Sequence, residues 1–224
     1  MIKSIKGIEL DNKKVLIRLD INSPVVKGKV LDNPRIKDGA ESIKFFSKRR
    51  AKLIIIAHQG RKGDNDFLPL KQHAKLLSKY SRVKVKYVDY LFEEKALTAV
   101  SKLKAGEVIL LKNVREYEYE KEVEKKDNKY LEFSSNFDYF VNDAFSVSHR
   151  AQGSIILPPK ILPSFMGPSL EKEISSLSHF SFKDSKTVYL LGGAKIDDYF
   201  PIFNNLENKK AIEGIAKCKH SHQG

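Results

Sequence analysis

Short apolar runs alternate with amphipathic stretches along most of the chain, a rhythm typical of repeated β-α units. The runs carry apolar residues at nearly every position, which predicts strands of a parallel sheet buried on both faces. The main predicted strands are Lys14–Leu19, Leu53–Ala57, Val108–Leu111 and Asp138–Val141. The pattern therefore predicts an α/β fold with a doubly wound, mainly parallel sheet and helices on both faces.

Apolar residues at helical spacing occupy the stretches between these strands. Asn33 followed by Pro34 is an N-cap signal, and it predicts a helix that continues through Phe46. The stretch 116–129 is very charged, so we expect it to form an exposed helix with its connections. Further helices are predicted at 70–80, 93–103 and 169–179, with short strands at 83–87 and 187–191.

Each main strand is followed by groups that bind anions or hydroxyls. One such loop could be a capping pair or a solvated basic turn, but ligands of open α/β sheets bind outside the carboxyl ends of the strands. Arg35 also lies in the first turn of a helix, where a cation is unfavourable because it opposes the helix dipole. This placement is explained if Arg35 contacts an anion bound at the N-terminus of the helix. The candidate ligand groups are Asp20 and Asn22, then His58 (neutral or cationic) with Gly60 and Arg61, then Arg115, and finally His149 and Arg150.

The charge of the chain changes this picture only slightly. The net charge is +13 over 224 residues, and most of it is lysine scattered over predicted helix faces, a pattern of solvated surface. No motif of interleaved aromatic and basic residues points to RNA, so a nucleic-acid partner is not expected. Arginine forks at strand ends match phosphate and carboxylate oxygens, which favours a small polyanion.

The sequence also bears on cellular location and on metal binding. The chain has no run of about 18 apolar residues and no signal-peptide core, and its one cysteine, Cys218, cannot form an internal disulfide. We therefore expect a cytoplasmic protein without a membrane partner. His220 and His222 lie close to Cys218 but have no further ligand nearby, so we expect no metal site and a tail without fixed structure.

Six segments together resemble the N-terminal lobe of the phosphoglycerate kinase family. The resemblance holds in order and spacing to about residue 205, and it implies a Rossmann-like lobe for phosphoglycerate followed by the start of a nucleotide lobe. The segments are VLIRLDINSP (15–24), DNPRI (32–36), IIAHQGR (55–61), LLKNVREY (110–117), YFVNDAFSVSHRA (139–151) and LLGGAK (190–195).

The resemblance implies reversible phosphoryl transfer between ATP and the carboxylate of 3-phosphoglycerate, giving ADP and 1,3-bisphosphoglycerate, with Mg²⁺ on the nucleotide. It implies that Asp20 and Asn22 hold the hydroxyl and carboxylate region of the substrate. Arg35 and Lys195 would be the catalytic residues at the transferred phosphoryl group, and Gly192 and Gly193 would join Lys195 at the nucleotide. The implied cradle for the 3-phosphate consists of His58, Gln59, Gly60, Arg61, Arg115 and Arg150.

The resemblance also implies an organisation and two departures from the family pattern. Residues 1–168 would form the phosphoglycerate lobe, 169–185 the interlobe helix and linker, and 186–224 an incomplete nucleotide lobe. Tyr199 stands where bacterial and eukaryotic members have a second lysine, and family members are about twice as long. We therefore expect a reading frame truncated or shifted near residue 210, whose product is inactive alone. The alternatives are a non-catalytic protein that binds phosphometabolites or nucleic acid, and half of a split kinase completed by a separate C-terminal lobe.

Overall fold

The computed structural model describes residues 3–178. The chain groups into one unit of Met1–Ile174 and a second of Ser175–Gly224. The strands are Lys3–Ser4 (β1), Lys14–Leu19 (β2), Val25–Val26 (β3), Lys29–Val30 (β4), Lys52–Ile56 (β5), Val85–Tyr87 (β6), Val108–Leu110 (β7), Tyr139–Asp143 (β8) and Ser164–Met166 (β9). The α-helices are Pro34–Lys48 (α1), Lys71–Ser81 (α2), Glu94–Ser101 (α3), Lys129–Ser134 (α4), Gly153–Ile156 (α5) and Pro168–Ser178 (α6).

Seven of these strands form one sheet in the order β1-β9-β8-β2-β5-β7-β6, and every neighbouring pair is parallel. The strands β8, β2, β5 and β7 are adjacent, so the four loops that carry the predicted ligand groups leave the same sheet edge side by side. The chain moves from β2 to β5 on one side and later enters β8 on the other. The topological switch, where open sheets bind their ligands, therefore lies between β2 and β8.

Apolar side chains fill both faces of the sheet, as the unbroken apolar runs predict. In β2, Val15 and Ile17 belong to the core on the α1 and α2 side, and Leu16 belongs to the core on the opposite face. Phe46 of α1 joins the first core, and Phe133 of α4 joins the second. The sheet is thus doubly wound, and the predicted fold class is confirmed.

Helix α1 begins as its N-cap signal predicts. The Asn33 side chain accepts hydrogen bonds from the backbone N–H groups of Arg35 (2.9 Å) and Ile36 (3.4 Å), and Pro34 occupies the first turn, where it leaves no donor unused. The cap fixes the first turn of the helix beside the loop that follows β2, and this places Arg35 at the sheet edge.

The prediction of an exposed helix over 116–129 is wrong. Two 3-10 turns, Val114–Glu116 and Glu118–Glu120, are followed by irregular turns up to α4. The amide nitrogen of Asn128 donates to the carbonyls of Tyr119 (2.8 Å) and Glu122 (3.0 Å), which holds this segment in a folded loop. Glu120 is buried rather than exposed, because its carboxylate binds groups below the sheet edge.

Candidate functional site

Asp20, at the end of β2, connects three elements at the switch point. Its carboxylate forms a salt bridge with Arg35 of α1 at 3.2 Å, accepts a hydrogen bond from the hydroxyl of Ser146 in the loop after β8, and accepts the backbone N–H of Asn22 at 3.2 Å. The sequence placed Asp20 and Arg35 at one site, and the structure brings them into direct contact. The pair crosses the sheet edge, so a ligand there meets a carboxylate and a guanidinium together.

The loop after β5 is joined to its neighbours on both sides. The side-chain oxygen of Asn22 accepts the backbone N–H of Gly60 at 2.9 Å, and the guanidinium of Arg115 donates to the carbonyl of Gly60. Asn113, which sequence reasoning did not select, donates to the carbonyl of Gln59 at 2.8 Å and accepts the backbone N–H of Arg115 at 3.1 Å. The loops after β2, β5 and β7 are therefore held in one fixed arrangement.

Three arginines give this edge an excess of positive charge. Arg61, Arg115 and Arg150 have no salt bridge to any acidic side chain within residues 3–178. Burial lowers the pKa of the Arg115 guanidinium, and the positive charges of Arg150 and Arg18 lower it further. Cations that lie close together without salt bridges to carboxylates form a site for an anion with several oxygens.

Gln59 differs from the other predicted ligand groups. Its side chain is fully buried, and its oxygen accepts hydrogen bonds from the backbone N–H of Ser23 (2.8 Å) and the ring of His73 (2.9 Å). Its amide nitrogen donates to the carbonyls of Ser23 (2.9 Å) and Asp66 (3.0 Å). The four hydrogen bonds join the loops after β2 and β5 to each other and to helix α2, so this side chain positions the site.

A chain of buried polar side chains, linked by hydrogen bonds, lies directly beneath the sheet edge. The guanidinium of Arg18 donates to the Ser154 hydroxyl at 3.0 Å and to Nδ1 of His58 at 2.9 Å. Ser154 in turn donates its hydroxyl (2.8 Å) and its backbone N–H (2.9 Å) to the carboxylate of Glu120. Arg18 and Ser154 are fully buried, and Glu120 is 2 % exposed. Sequence reasoning missed this chain, although an arginine inside the apolar run of β2 is a signal that a buried partner exists.

The surroundings of His58 disfavour a positive charge on its ring. Burial, together with the arginines around it, lowers the pKa of its imidazole to about 2. Of the two states that the sequence allowed, neutral or cationic, the structure favours the neutral one. The charge of the site therefore comes from its arginines.

Three buried titratable groups make stability depend on pH. The pKa values of His58 and His73 are lowered to about 2 and about 4, and burial raises the pKa of Asp143 to about 6. Between about pH 6 and pH 4 the two histidines are protonated in the unfolded chain but not in the folded chain, whereas Asp143 is protonated only in the folded chain. The unfolded chain therefore binds about one proton more than the folded chain. These three groups should therefore lower the free energy of unfolding by somewhat more than about 1 kcal/mol for each unit by which the pH is decreased in this window.

Urea unfolding at several pH values in this window measures that slope, and His73→Gln supplies the comparison. Glutamine keeps a donor for Gln59 but cannot be protonated in the unfolded chain. The contribution of these groups to the slope of the free energy of unfolding against pH should therefore fall close to zero. A slope that His73→Gln leaves unchanged would show that His73 protonates freely in the folded protein.

Several predicted residues cannot be placed. Gly192, Gly193, Lys195 and Tyr199, the predicted strand 187–191 and the sequence around Cys218 lie outside the described residues. Within residues 3–178 no group of three or more His, Cys, Asp or Glu side chains is arranged to hold a metal ion. No helix in that range is long and apolar enough to cross a membrane.

Fold and site together define the class of this protein: a doubly wound α/β protein with a cationic ligand site at the carboxyl edge of its sheet. The family model for phosphoglycerate kinase matches residues 5–214. The chain belongs to the phosphoglycerate kinase family, as its six motifs suggested.

Relatives and solved structures agree with this assignment. The chain is 40% identical over 223 residues to the phosphoglycerate kinase of Sulfolobus acidocaldarius, covering 96% of this chain and 54% of the relative. It is also 40% identical over 218 residues to the enzyme of Methanothermobacter thermautotrophicus, covering 93% and 53%. The crystal structure of phosphoglycerate kinase from Pyrococcus horikoshii matches with a TM-score of 0.86 at 33% identity, covering 93% of this chain and 53% of that one. The chain thus spans about half the length of the relatives it matches.

Proposed function

We propose that this chain binds 3-phosphoglycerate at the carboxyl edge of its sheet and contributes that site to a phosphoglycerate kinase. The observation that carries the proposal is the group of arginines 61, 115 and 150, which forms no salt bridge to an acidic side chain within residues 3–178. Arg115 and Arg150 of this group act on the His58 ring together with Arg35, which pairs with Asp20. The phosphate at one end of the substrate supplies the negative charge that the three arginines lack, and the carboxylate at the other end lies at the Asp20–Arg35 pair.

The proposed binding mode assigns the two ends of the substrate to different loops. Arg61, Arg115 and Arg150, with His58 and the backbone at Gly60, hold the 3-phosphate. Gln59 supports this cradle through its four internal hydrogen bonds and does not contact the ligand with its side chain.

The other end of the substrate meets the groups at the switch point. Asp20 and Asn22 orient the hydroxyl and the carboxylate, and Arg35 turns from Asp20 toward the phosphoryl group that is transferred. A carboxylate is already ionised near neutral pH, so attack on the phosphoryl group needs no general base. Positioning and neutralisation of charge are what the reaction requires, and arginines provide both.

The second substrate is proposed to be ATP or ADP with Mg²⁺, bound through Gly192, Gly193 and Lys195, with Lys195 at the transferred group. This is the reversible reaction of glycolysis and gluconeogenesis in the cytoplasm. Because the chain spans about half of its relatives, we expect the 224-residue polypeptide alone to bind 3-phosphoglycerate and to show little turnover.

Titration calorimetry with 3-phosphoglycerate tests the proposal, with glycerate as the matched ligand that lacks the phosphate. We expect saturable heat with 3-phosphoglycerate and none with glycerate at the same concentration. A folded protein that gives no heat up to millimolar 3-phosphoglycerate would contradict the binding assignment. If the same protein shifted RNA in a gel with a steep salt dependence, the alternative of nucleic-acid binding would take its place.

Arg61→Ala should weaken binding of 3-phosphoglycerate by about 1.5–3 kcal/mol, because a charged hydrogen-bonding partner of the phosphate is lost. Lys62→Ala is the control, since it removes the same charge one residue further on from a side chain that pairs with Glu118 at 3.5 Å. Calorimetry on both variants should show the loss for Arg61 alone. Equal losses would mean that the site senses only overall charge.

A further inference from the structure

The hydrogen bond between Arg18 and His58 fixes the protonation of the histidine ring. A guanidinium has only donors, so Nδ1 of His58, at 2.9 Å from the Arg18 guanidinium, must be the acceptor and carries no proton. The single proton of the neutral ring is then on Nε2. Within residues 3–178 the only hydrogen bond of the His58 ring is this contact at Nδ1, which leaves Nε2 available to a ligand.

We propose that Arg18, held in place by Ser154 and Glu120, fixes His58 as the neutral imidazole protonated on Nε2, so that His58 offers a bound anion a hydrogen-bond donor without a charge. This inference rests on the proposed binding of a phosphorylated ligand. It makes Arg18, Ser154 and Glu120 positioning residues, because they act on the ligand through His58.

The orientation of Arg18 is itself determined by the buried chain beneath it. Its Nε–H donates to the Ser154 hydroxyl at 3.0 Å, and one terminal N–H donates to the carbonyl of Leu19 at 2.5 Å. The other terminal nitrogen of the guanidinium is then the one that donates to His58. Glu120 anchors Ser154 through both carboxylate oxygens and supplies the nearby negative charge that offsets burial of the guanidinium. Loss of any of these contacts would free the guanidinium to turn away from Nδ1.

The charged groups that act most strongly on the His58 ring all oppose a second proton on it. Arg18 comes from β2, Arg35 from α1, Arg115 from the loop after β7 and Arg150 from the loop after β8, and each lowers the pKa of His58. A bound phosphate would attract a proton to the ring. A proton on Nδ1 would, however, point directly at the Arg18 guanidinium, which cannot accept it.

Long-range ¹H–¹⁵N spectra of the 224-residue protein labelled at histidine test the protonation state directly. The chain has six histidines, and the His58 signals are those lost in His58→Gln. We expect a neutral ring with its proton on Nε2 throughout about pH 5 to pH 8, both with and without 3-phosphoglycerate. A doubly protonated ring, or a proton on Nδ1, anywhere in this range would overturn the inference.

The role of Arg18 is tested by the double variant Arg18→Met/Glu120→Gln, which removes both buried charges together and leaves no isolated ion. In this variant both neutral forms of the His58 ring should be populated. Ser154→Ala loosens the same guanidinium with a smaller change, and a minor Nδ1–H form should be detectable. A ring that remains entirely in the Nε2–H form in every folded variant would show that Arg18 does not select it.

Binding measurements compare two amide substitutions of His58. Glutamine carries an N–H near the position of Nε2 and asparagine carries one near Nδ1. We expect His58→Gln to bind 3-phosphoglycerate within a few-fold of wild type and His58→Asn to lose about 10- to 100-fold, the factor for one hydrogen bond to a charged group. Equal losses in both variants would contradict a neutral donor at Nε2. If wild type binds no 3-phosphoglycerate, the proposed function fails while the spectra still decide the state of the ring.

Discussion

Replacement of Glu120 by alanine should destabilise the fold by about 3–5 kcal/mol, the usual cost of leaving a buried charge without its partner. Glu120 is 2 % exposed, and among the groups acting on the buried Arg18 it opposes the effect of burial most strongly. The substitution also removes both acceptors of Ser154. Two buried donors of Ser154 would then lack acceptors, and the buried Arg18 guanidinium would lose the charge that most offsets its burial.

Urea unfolding measures this loss, and Glu118→Ala provides the matched control. Glu118 lies in the same 3-10 turn, but its side chain is 58% exposed and forms only surface ion pairs with Lys62 and Lys121. We expect Glu118→Ala to change stability by less than about 1 kcal/mol. Similar effects of the two substitutions would show that Glu120 behaves as a surface residue, as its charged surroundings in the sequence suggested.

Gly60→Ala should remove ligand binding and destabilise the fold by about 2–4 kcal/mol. Gly60 has a φ of +64°, which a side chain disfavours, and an added Cβ would lie 2.5 Å from the carbonyl oxygen of Asp66. Relief of this clash requires movement of the loop that carries Arg61. The same movement would break the contacts of Gly60 with Asn22 and Arg115, so the cradle and the fold should fail together.

Gly63→Ala separates the effect of backbone strain at a positive φ from the effect of the steric clash. Gly63 also has a positive φ, +99°, but an added Cβ would meet nothing within 4 Å. This control carries the backbone strain alone, and we expect it to cost about 1–2 kcal/mol with little change in affinity for 3-phosphoglycerate. If Gly60→Ala were no worse than Gly63→Ala in urea unfolding and calorimetry, the close approach of the two loop segments would play no part in the site.

Local patterns were sufficient to predict the main strands and to select the polar residues that follow them as candidate ligand groups. Apolar runs placed β2, β5, β7 and β8 within one or two residues, because strands buried on both faces must be apolar throughout. The polar residues that follow each run were then the expected ligand groups. Which strands are neighbours was not visible in periodicity, because the order of strands in a sheet depends on contacts between distant segments.

The buried chain beneath the site could not be predicted in the same way. Glu120 lies in a stretch of alternating charges, and nothing local distinguishes it from the exposed Glu118 beside it. Its burial depends on Ser154, 34 residues later, and on Arg18 in β2. Partners that meet only after the sheet is assembled leave no periodic signal, although Arg18 within an apolar strand required that such partners exist.

The most direct test of the binding site is a map of backbone amide shifts during titration of the 224-residue protein with 3-phosphoglycerate. We predict the largest shifts in the four strand-end loops, at Asp20 and Asn22, at His58–Arg61, at Arg115 and at Ser146–Arg150. Shifts concentrated elsewhere, such as the lysine-lined groove between α2 and β6 at Lys71, Lys75 and Lys84, would contradict the assignment of the sheet edge as the phosphoglycerate site.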